Sequence, residues 1–114
     1  MTETDENRAD ALFHALADRT RRDIMRRVLA GEHSVSTLAA KYPMSFAAVQ
    51  KHVAVLEDAE LVTKERRGRE QLVRGNVDTV HAAHRVLDQL EAVWRSRIDR
   101  MGEILADDNE GATT

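Results

Sequence analysis

Gln50 and Lys51 are adjacent polar residues in the middle of a largely apolar stretch, residues 44–62. On a helix drawn at about 100° per residue, both lie opposite the apolar side, and Ala47 and Ala54 flank them. Small side chains let a helix approach a surface closely, Gln can pair with adenine through two hydrogen bonds, and Lys can reach guanine or a phosphate. This composition fits a helix that lies in the major groove of DNA.

The rest of this helix supplies further candidate contacts. Ser45 can cap the N-terminus, and the free amides of a first helical turn bind phosphate. We expect His52, at the border of the apolar side, to brace the helix or to meet a phosphate, and base discrimination to rest on Gln50 and Lys51. The expected contacts in the major groove are Ser45, Phe46, Ala47, Ala48, Gln50, Lys51 and His52.

A second cationic feature follows the helix. Residues 61–75 have apolar residues at both ends and Gly68 in a polar centre, which is typical of a β-hairpin. Arg66, Arg67 and Arg69 lie at its tip, where we expect them to bind phosphates or the minor groove. The ordinary alternative is a solvated turn, but three arginines within four residues favour phosphate binding.

Helical periodicity and cap residues define the elements that must position these side chains. Helices are predicted over about residues 7–17, 21–30, 34–42, 45–59 and 77–106. The predicted cap residues are Thr20, Ser34 or Ser36, Ser45 and Asn76, with Gly31 and Pro43 as stops. The prediction is one domain, residues 1–114, mainly α with a small β-hairpin wing. It contains a helix-turn-helix at about 34–59 and a wing at about 61–75, which together make a winged helix-turn-helix fold.

Composition and charge limit the classes of function that this chain can have. Zero Cys among 114 residues excludes disulfides and thiolate metal sites, and no apolar run approaches the roughly 20 residues of a membrane span. The polar, acidic N-terminus does not fit a targeting signal, so a cytoplasmic protein is expected. The net charge is −3, yet residues 18–75 carry 12 Lys and Arg against 8 Asp and Glu. No phosphate loop, nucleophile elbow or carboxylate pair indicates an enzyme.

Four motifs carry a resemblance to a known family: Leu16-Ala17-Asp18-Arg19-Thr20-Arg21, Leu38-Ala39, Ser45…Val49-Gln50…His52-Val53…Leu56, and Leu61-Val62…Arg67-Gly68-Arg69. Together they resemble the ArsR/SmtB family of winged-helix transcriptional repressors. Arg19, Gln50 and Val53 replace the family's usual Pro, Ser and Leu, and the change at Gln50 prevents an inference of the operator from relatives. The resemblance implies a homodimer that binds a palindromic operator and represses transcription.

The sequence itself also favours dimerisation. An amphipathic helix over residues 77–106 has more apolar surface than one small domain can cover. Pairing it and the helix at residues 7–17 across a twofold axis would bury that surface. The alternative is that the stripe folds back on its own core. The expected contacts between the copies are Leu12, Leu16, Leu87, Leu90 and Trp94.

Metal binding is not expected. The resemblance implies a Cys-Val-Cys sensor motif in many metal-binding relatives, and this sequence has Ser34-Val35-Ser36 at the same position. Serine hydroxyls do not replace cysteine thiolates as ligands of soft metals. Asp78, His81 and His84 share a helical face, but their spacing differs from that of the family's final-helix zinc site. We predict neither a metal nor a cofactor.

Two alternatives stay open on the sequence. The winged helix could serve as a protein-interaction module whose wing binds an acidic partner, because a fold does not fix a function. A small-molecule effector at the dimer seam is compatible with DNA binding, and the sequence names none.

Overall fold

The computed structural model describes residues 3–113, with side chains described as far as residue 106. Within them lie five helices and a three-stranded sheet. In chain order the elements are α1 (Glu3–Leu16), α2 (Arg19–Ala30), β1 (His33–Ser34), α3 (Val35–Ala39), α4 (Phe46–Asp58), β2 (Val62–Arg67), β3 (Glu70–Gly75) and α5 (Val77–Thr113). The chain divides into two compact units, Met1–Ala83 and His84–Thr114. This architecture confirms the prediction of a mainly helical winged helix-turn-helix with five helices.

The corner between α1 and α2 differs from the prediction. α1 begins at Glu3, four residues earlier than expected, with three acids in its first turn, where the helix dipole favours negative charge. α2 is capped by Asp18, whose Oδ2 accepts a hydrogen bond from the Arg21 amide at 3.0 Å. The predicted cap at Thr20 is therefore wrong, because the helix already includes that residue.

Serine caps start both helices of the helix-turn-helix, as predicted. Ser34 Oγ accepts from the Thr37 amide at 3.0 Å, and Ser45 Oγ accepts from the Ala48 amide at 3.1 Å. α3 ends at Ala39, shorter than the predicted extent, so the connection to α4 spans residues 40–45. The two helices therefore keep the expected order with a longer turn between them.

The wing is the predicted hairpin with one additional strand. β2 and β3 pair antiparallel around Gly68, which has φ +64, and β1 adds to the other edge of β3, with Ser34 opposite Leu72. A two-residue strand is too short to show an alternating pattern, so β1 could not be predicted from local periodicity. Through β1 the base of the wing is joined to the start of α3.

The core of the first unit is formed by the apolar faces of all its helices together with the base of the sheet. Its fully buried large side chains are Leu12, Ile24, Leu38, Val49, Val53, Leu56, Leu61, Val62 and Val73. Leu12 is only 2% exposed because its own domain encloses it, so it has almost no surface left for the predicted contact with a second copy. Leu16 is half-buried against the same core.

The second unit is the continuation of α5, and the helix extends beyond the predicted end at residue 106. Arg95 pairs with Glu91 one turn away, and His84 Nε2 lies 3.4 Å from Asp88 Oδ2. Its exposed large apolar side chains are Leu87, Leu90, Val93, Trp94, Ile98, Met101, Ile104 and Leu105. Among the residues described, no helix has the length and apolarity to cross a bilayer.

Candidate nucleic-acid interface

α4 has the two faces that the helical wheel predicts. Val49, Val53 and Leu56 are buried in the core, whereas Gln50 and Lys51 are exposed. Neither polar side chain has a hydrogen-bond or ion-pair partner in the part of the chain that the structure describes. The buried side fixes the helix to the domain, and the opposite side is available to a ligand.

The other predicted groove contacts divide by exposure. Ser45, Phe46 and Ala47 are exposed at the start of α4, and Phe46 keeps 47% of its surface in solvent although it is a large apolar residue. Ala48 and His52 are only partly exposed. The exposed face therefore consists of the first turn of α4 together with Gln50 and Lys51.

His52 is held by the α1–α2 corner. Its side chain is 22% exposed; Nδ1 lies 3.2 Å from Arg21 Nη1 and 3.8 Å from Asp18 Oδ2. Arginine can only donate, so Nδ1 is the acceptor in this contact. This contact matches the expectation that His52 braces the helix.

Arg21 is the residue at this corner that the sequence reasoning missed. Its Nε donates to the Ala15 carbonyl at 2.7 Å and its Nη2 to the His14 carbonyl at 3.0 Å, both at the C-terminus of α1. Arg22 Nη1 adds a bond to the Leu16 carbonyl at 2.8 Å. Cations at a helix C-terminus satisfy carbonyls that have no partner within the helix. The available signal was a run of arginines directly after a predicted helix end.

The turn before α4 is anchored to α2 by a second polar cluster. Tyr42 Oη donates to Asp23 Oδ2 at 2.6 Å, and Arg27 Nε donates to the same oxygen at 2.9 Å. These two bonds hold the pKa of Asp23 below its ordinary value, while burial and the Asp23 carboxylate raise the pKa of Tyr42 to about 12. The Arg27 guanidinium also lies 5.8 Å from the centre of the Tyr42 ring. The cluster fixes the entry of the chain into α4.

The three wing arginines are not equivalent. All are exposed, but Arg67 lies 3.4 Å from Glu32 and 3.5 Å from Glu65, and Arg74 pairs with the same two acids. Arg66 and Arg69 have no such partner among the described residues. Glu32 is 35 positions from Arg67 in the chain, so counting neighbouring acids in the sequence could not reveal it.

Between α4 and the wing lies an open cleft of about 160 Å³. Its lining residues are Val35, Gln50, Val53, Lys64 and Gln71. Lys64 Nζ lies 3.3 Å from Glu57 Oε1 on α4, and the Gln71 side chain has no partner within the described residues. Neither Lys64 nor Gln71 was among the candidates from the sequence, because only the folded hairpin brings them beside Gln50.

Asp78, His81 and His84 all lie on α5. Within residues 3–106, no three His, Asp or Glu side chains gather in a way that could hold a metal ion, Asp78 and His81 included.

Known proteins are similar to this chain in sequence. A family model described as a helix-turn-helix domain matches residues 16–65. Over 67 residues the chain is 43% identical to YuzN, an uncharacterised HTH-type transcriptional regulator of Bacillus subtilis (strain 168); the match covers 53% of this chain and 73% of YuzN. Over 105 residues it is 31% identical to the HTH-type transcriptional regulator Rv2034 of Mycobacterium tuberculosis (strain ATCC 25618 / H37Rv), covering 92% of this chain and 94% of Rv2034.

The fold comparison agrees. An ArsR-like transcriptional regulator from Rhodococcus sp. RHA1 superposes with a TM-score of 0.77 at 29% identity, over 87% of this chain and 93% of that one. Sequence and fold thus lead to one assignment. The chain belongs to the ArsR/SmtB-type winged helix-turn-helix family, and it is a DNA-binding transcriptional regulator.

Proposed function

We propose that this regulator is a homodimeric repressor that binds a palindromic operator with residues 45–52 of each copy at the major groove. One observation carries the proposal: Gln50 and Lys51 are exposed, without a hydrogen-bond or ion-pair partner among the described residues, on a helix whose other side is buried. A side chain reads bases only if the backbone that carries it is rigidly placed, and three buried residues of α4 supply that rigidity.

The start of α4 suits the approach to DNA. The first amides of a helix have no partner within the helix, and with the dipole they attract a phosphate. Phe46 and Ala47 offer apolar contact to a thymine methyl group next to the donors of Gln50 and Lys51. In this arrangement His52 acts through the position of α4, because Arg21 already engages one of its ring nitrogens.

Dimerisation is supported by the exposed apolar side chains of α5. Leu87, Leu90 and Trp94 are each more than half exposed, and such a stripe on a 12.9 kDa chain would be covered by a second copy. Twofold symmetry is also what a palindromic operator with two half-sites requires. We keep these three residues and Leu16 as interface contacts. Because the ligand is chromosomal DNA, we place the regulator in the cytoplasm.

The test is a fluorescence-anisotropy titration of the protein's own upstream promoter against a scrambled duplex, at two salt concentrations. Promoter-selective affinity that falls steeply with salt is expected, because released counterions accompany each neutralised phosphate. Equal, weak binding to both duplexes, with no operator recovered from a random-sequence pool, would refute the proposal. That result would favour the alternative of a protein-interaction module.

Lys51→Ala should affect binding to the operator more than binding to random DNA. We expect a loss of roughly 1–3 kcal/mol on the operator, a smaller loss on random DNA, and relaxed sequence preference. Arg100→Ala is the charge-matched control, because Arg100 is exposed on α5. Equal losses on operator and random DNA would contradict a base-reading role for Lys51.

A further inference from the structure

The strand register gives the wing two chemically different faces. Residues directly opposite each other in an antiparallel pair project from the same face, and so do alternate residues of one strand. Arg66 lies opposite Gln71, and Lys64 lies opposite Val73. The first face, here called the α4-side face, therefore carries Val62, Lys64, Arg66, Gln71 and Val73; the outer face carries Thr63, Glu65, Arg67, Glu70, Leu72 and Arg74.

The α4-side face opens onto the proposed DNA-binding helix. Its base is the buried pair Val62 and Val73, and further out Lys64 and Gln71 line the cleft shared with Gln50. The Arg66 and Gln71 side chains are exposed and have no partner in the described part of the chain. This face therefore offers a cation and an amide with free donors.

The outer face is neutralised from within the protein. Arg67 and Arg74 are both in contact with Glu32 and Glu65, so two cations face two acids. A phosphate that approached Arg67 would have to displace these carboxylates or accept their repulsion. The outer face thus has little net attraction for a polyanion.

We propose that the cleft between α4 and the wing seats one backbone phosphate of the DNA. Gln71 of the cleft lining and Arg66, which lies opposite Gln71 on the same face of the hairpin, bind this phosphate, and Arg67 stays outside the DNA contact. This inference rests on the proposed function. When a helix enters the major groove and a wing reaches the neighbouring minor groove, the sugar-phosphate strand between the grooves passes between them. The cleft beside Gln50 is where that strand runs, and amide and guanidinium donors are suited to phosphate oxygens.

The test compares three alanine variants of the full chain on the operator and on random DNA. Gln71→Ala should weaken binding to the operator and to random DNA about tenfold. The salt dependence should stay unchanged, because the substitution removes a hydrogen bond and no charge. Arg66→Ala should weaken both and lower the slope of log affinity against log salt by about one per protomer. Arg67→Ala should leave the slope unchanged, although it removes the same charge from the next residue. Gln89→Ala, on the exposed surface of α5, is the control for Gln71.

Phosphate ethylation interference distinguishes a direct contact of Gln71 with the phosphate from a purely structural role of this residue. On wild-type protein, ethylating the phosphate in the cleft should weaken binding, and Gln71→Ala should lose this one interference site while the others remain. If Arg67→Ala carries the slope change, or if Gln71→Ala keeps every site, the inference is wrong while operator binding stands. If the wild-type protein selects no operator, the proposed function fails and this inference fails with it.

Discussion

Replacing Arg21 by lysine should destabilise the first unit by about 2 kcal/mol, at unchanged charge. The Arg21 guanidinium donates at three points: to the carbonyls of Ala15 and His14 and to His52 Nδ1. A lysine ammonium on its unbranched chain can retain one of these bonds but not the forked geometry of all three. Two bonds are then lost, each contributing about 1 kcal/mol net, because the released carbonyls at this partly exposed corner can bind water.

Urea unfolding followed by far-UV circular dichroism measures this loss. With a slope of about 1–3 kcal/mol per molar urea for small proteins, the midpoint should fall by about 1 M. All variants have to be compared at one protein concentration, since the stability of the proposed dimer would depend on concentration.

The neighbouring arginines provide matched controls for Arg21→Lys. Arg22→Lys removes a guanidinium that contacts one carbonyl and should cost less than Arg21→Lys. Arg19 is exposed and has no hydrogen bond or ion pair with a described residue, so Arg19→Lys should be neutral. If the three substitutions have equal effects, the assignment of Arg21 as the residue that closes the corner is wrong.

Three further predictions concern stability, pH and assembly. Glu60 has φ +61, which favours glycine, so the Glu60→Gly variant should be more stable to urea than Glu60→Ala by about 1 kcal/mol. At the exposed Asp10 in α1, the alanine variant should be the more stable of the two. A more stable Glu60→Ala variant would contradict backbone strain at position 60. Because its hydrogen bonds lower the pKa of Asp23 in the folded state, their stabilisation is present above the unfolded value near 3.8 and is lost as pH falls through the folded value. The fall in urea midpoint below about pH 4 should therefore be shallower in Asp23→Asn, and parallel curves would contradict this. Trp94→Glu should halve the molecular mass that light scattering measures for the protein, because Trp94 is exposed in the proposed interface. Gln89→Glu, on the opposite side of α5, should leave this mass unchanged. A monomeric wild-type protein would refute the proposed dimer.

Local sequence signals predicted the elements that carry the proposed site. Ser34 and Ser45 act as caps through hydrogen bonds to amides three residues away, so the cause lies within a single turn and is visible in the sequence. The two faces of α4 follow from periodicity alone. The family assignment rested on motifs of the same local kind, and the comparisons confirm it.

Contacts between distant residues could not be predicted in this way. The pairing of Glu32 with Arg67, and of β1 with β3, depends on how the hairpin folds back across the domain. Leu12 illustrates the same limit: its apolar face was correctly recognised, but periodicity does not say whether that face meets the chain's own core or a second copy. The cap at Asp18 was missed because Thr20, two residues later, is also a good cap residue.

Ser34 ends β1 and caps α3, so no residue separates the sheet from the helix-turn-helix. This junction therefore has no slack to accommodate extra chain. One residue inserted between Ser34 and Val35 would have to break either the pairing with Leu72 or the cap at Thr37, whereas the exposed tip at Gly68 can take an insertion without altering either. A fluorescent or affinity tag inserted at the wing tip is thus compatible with folding, whereas a tag inserted at the junction of β1 and α3 is not.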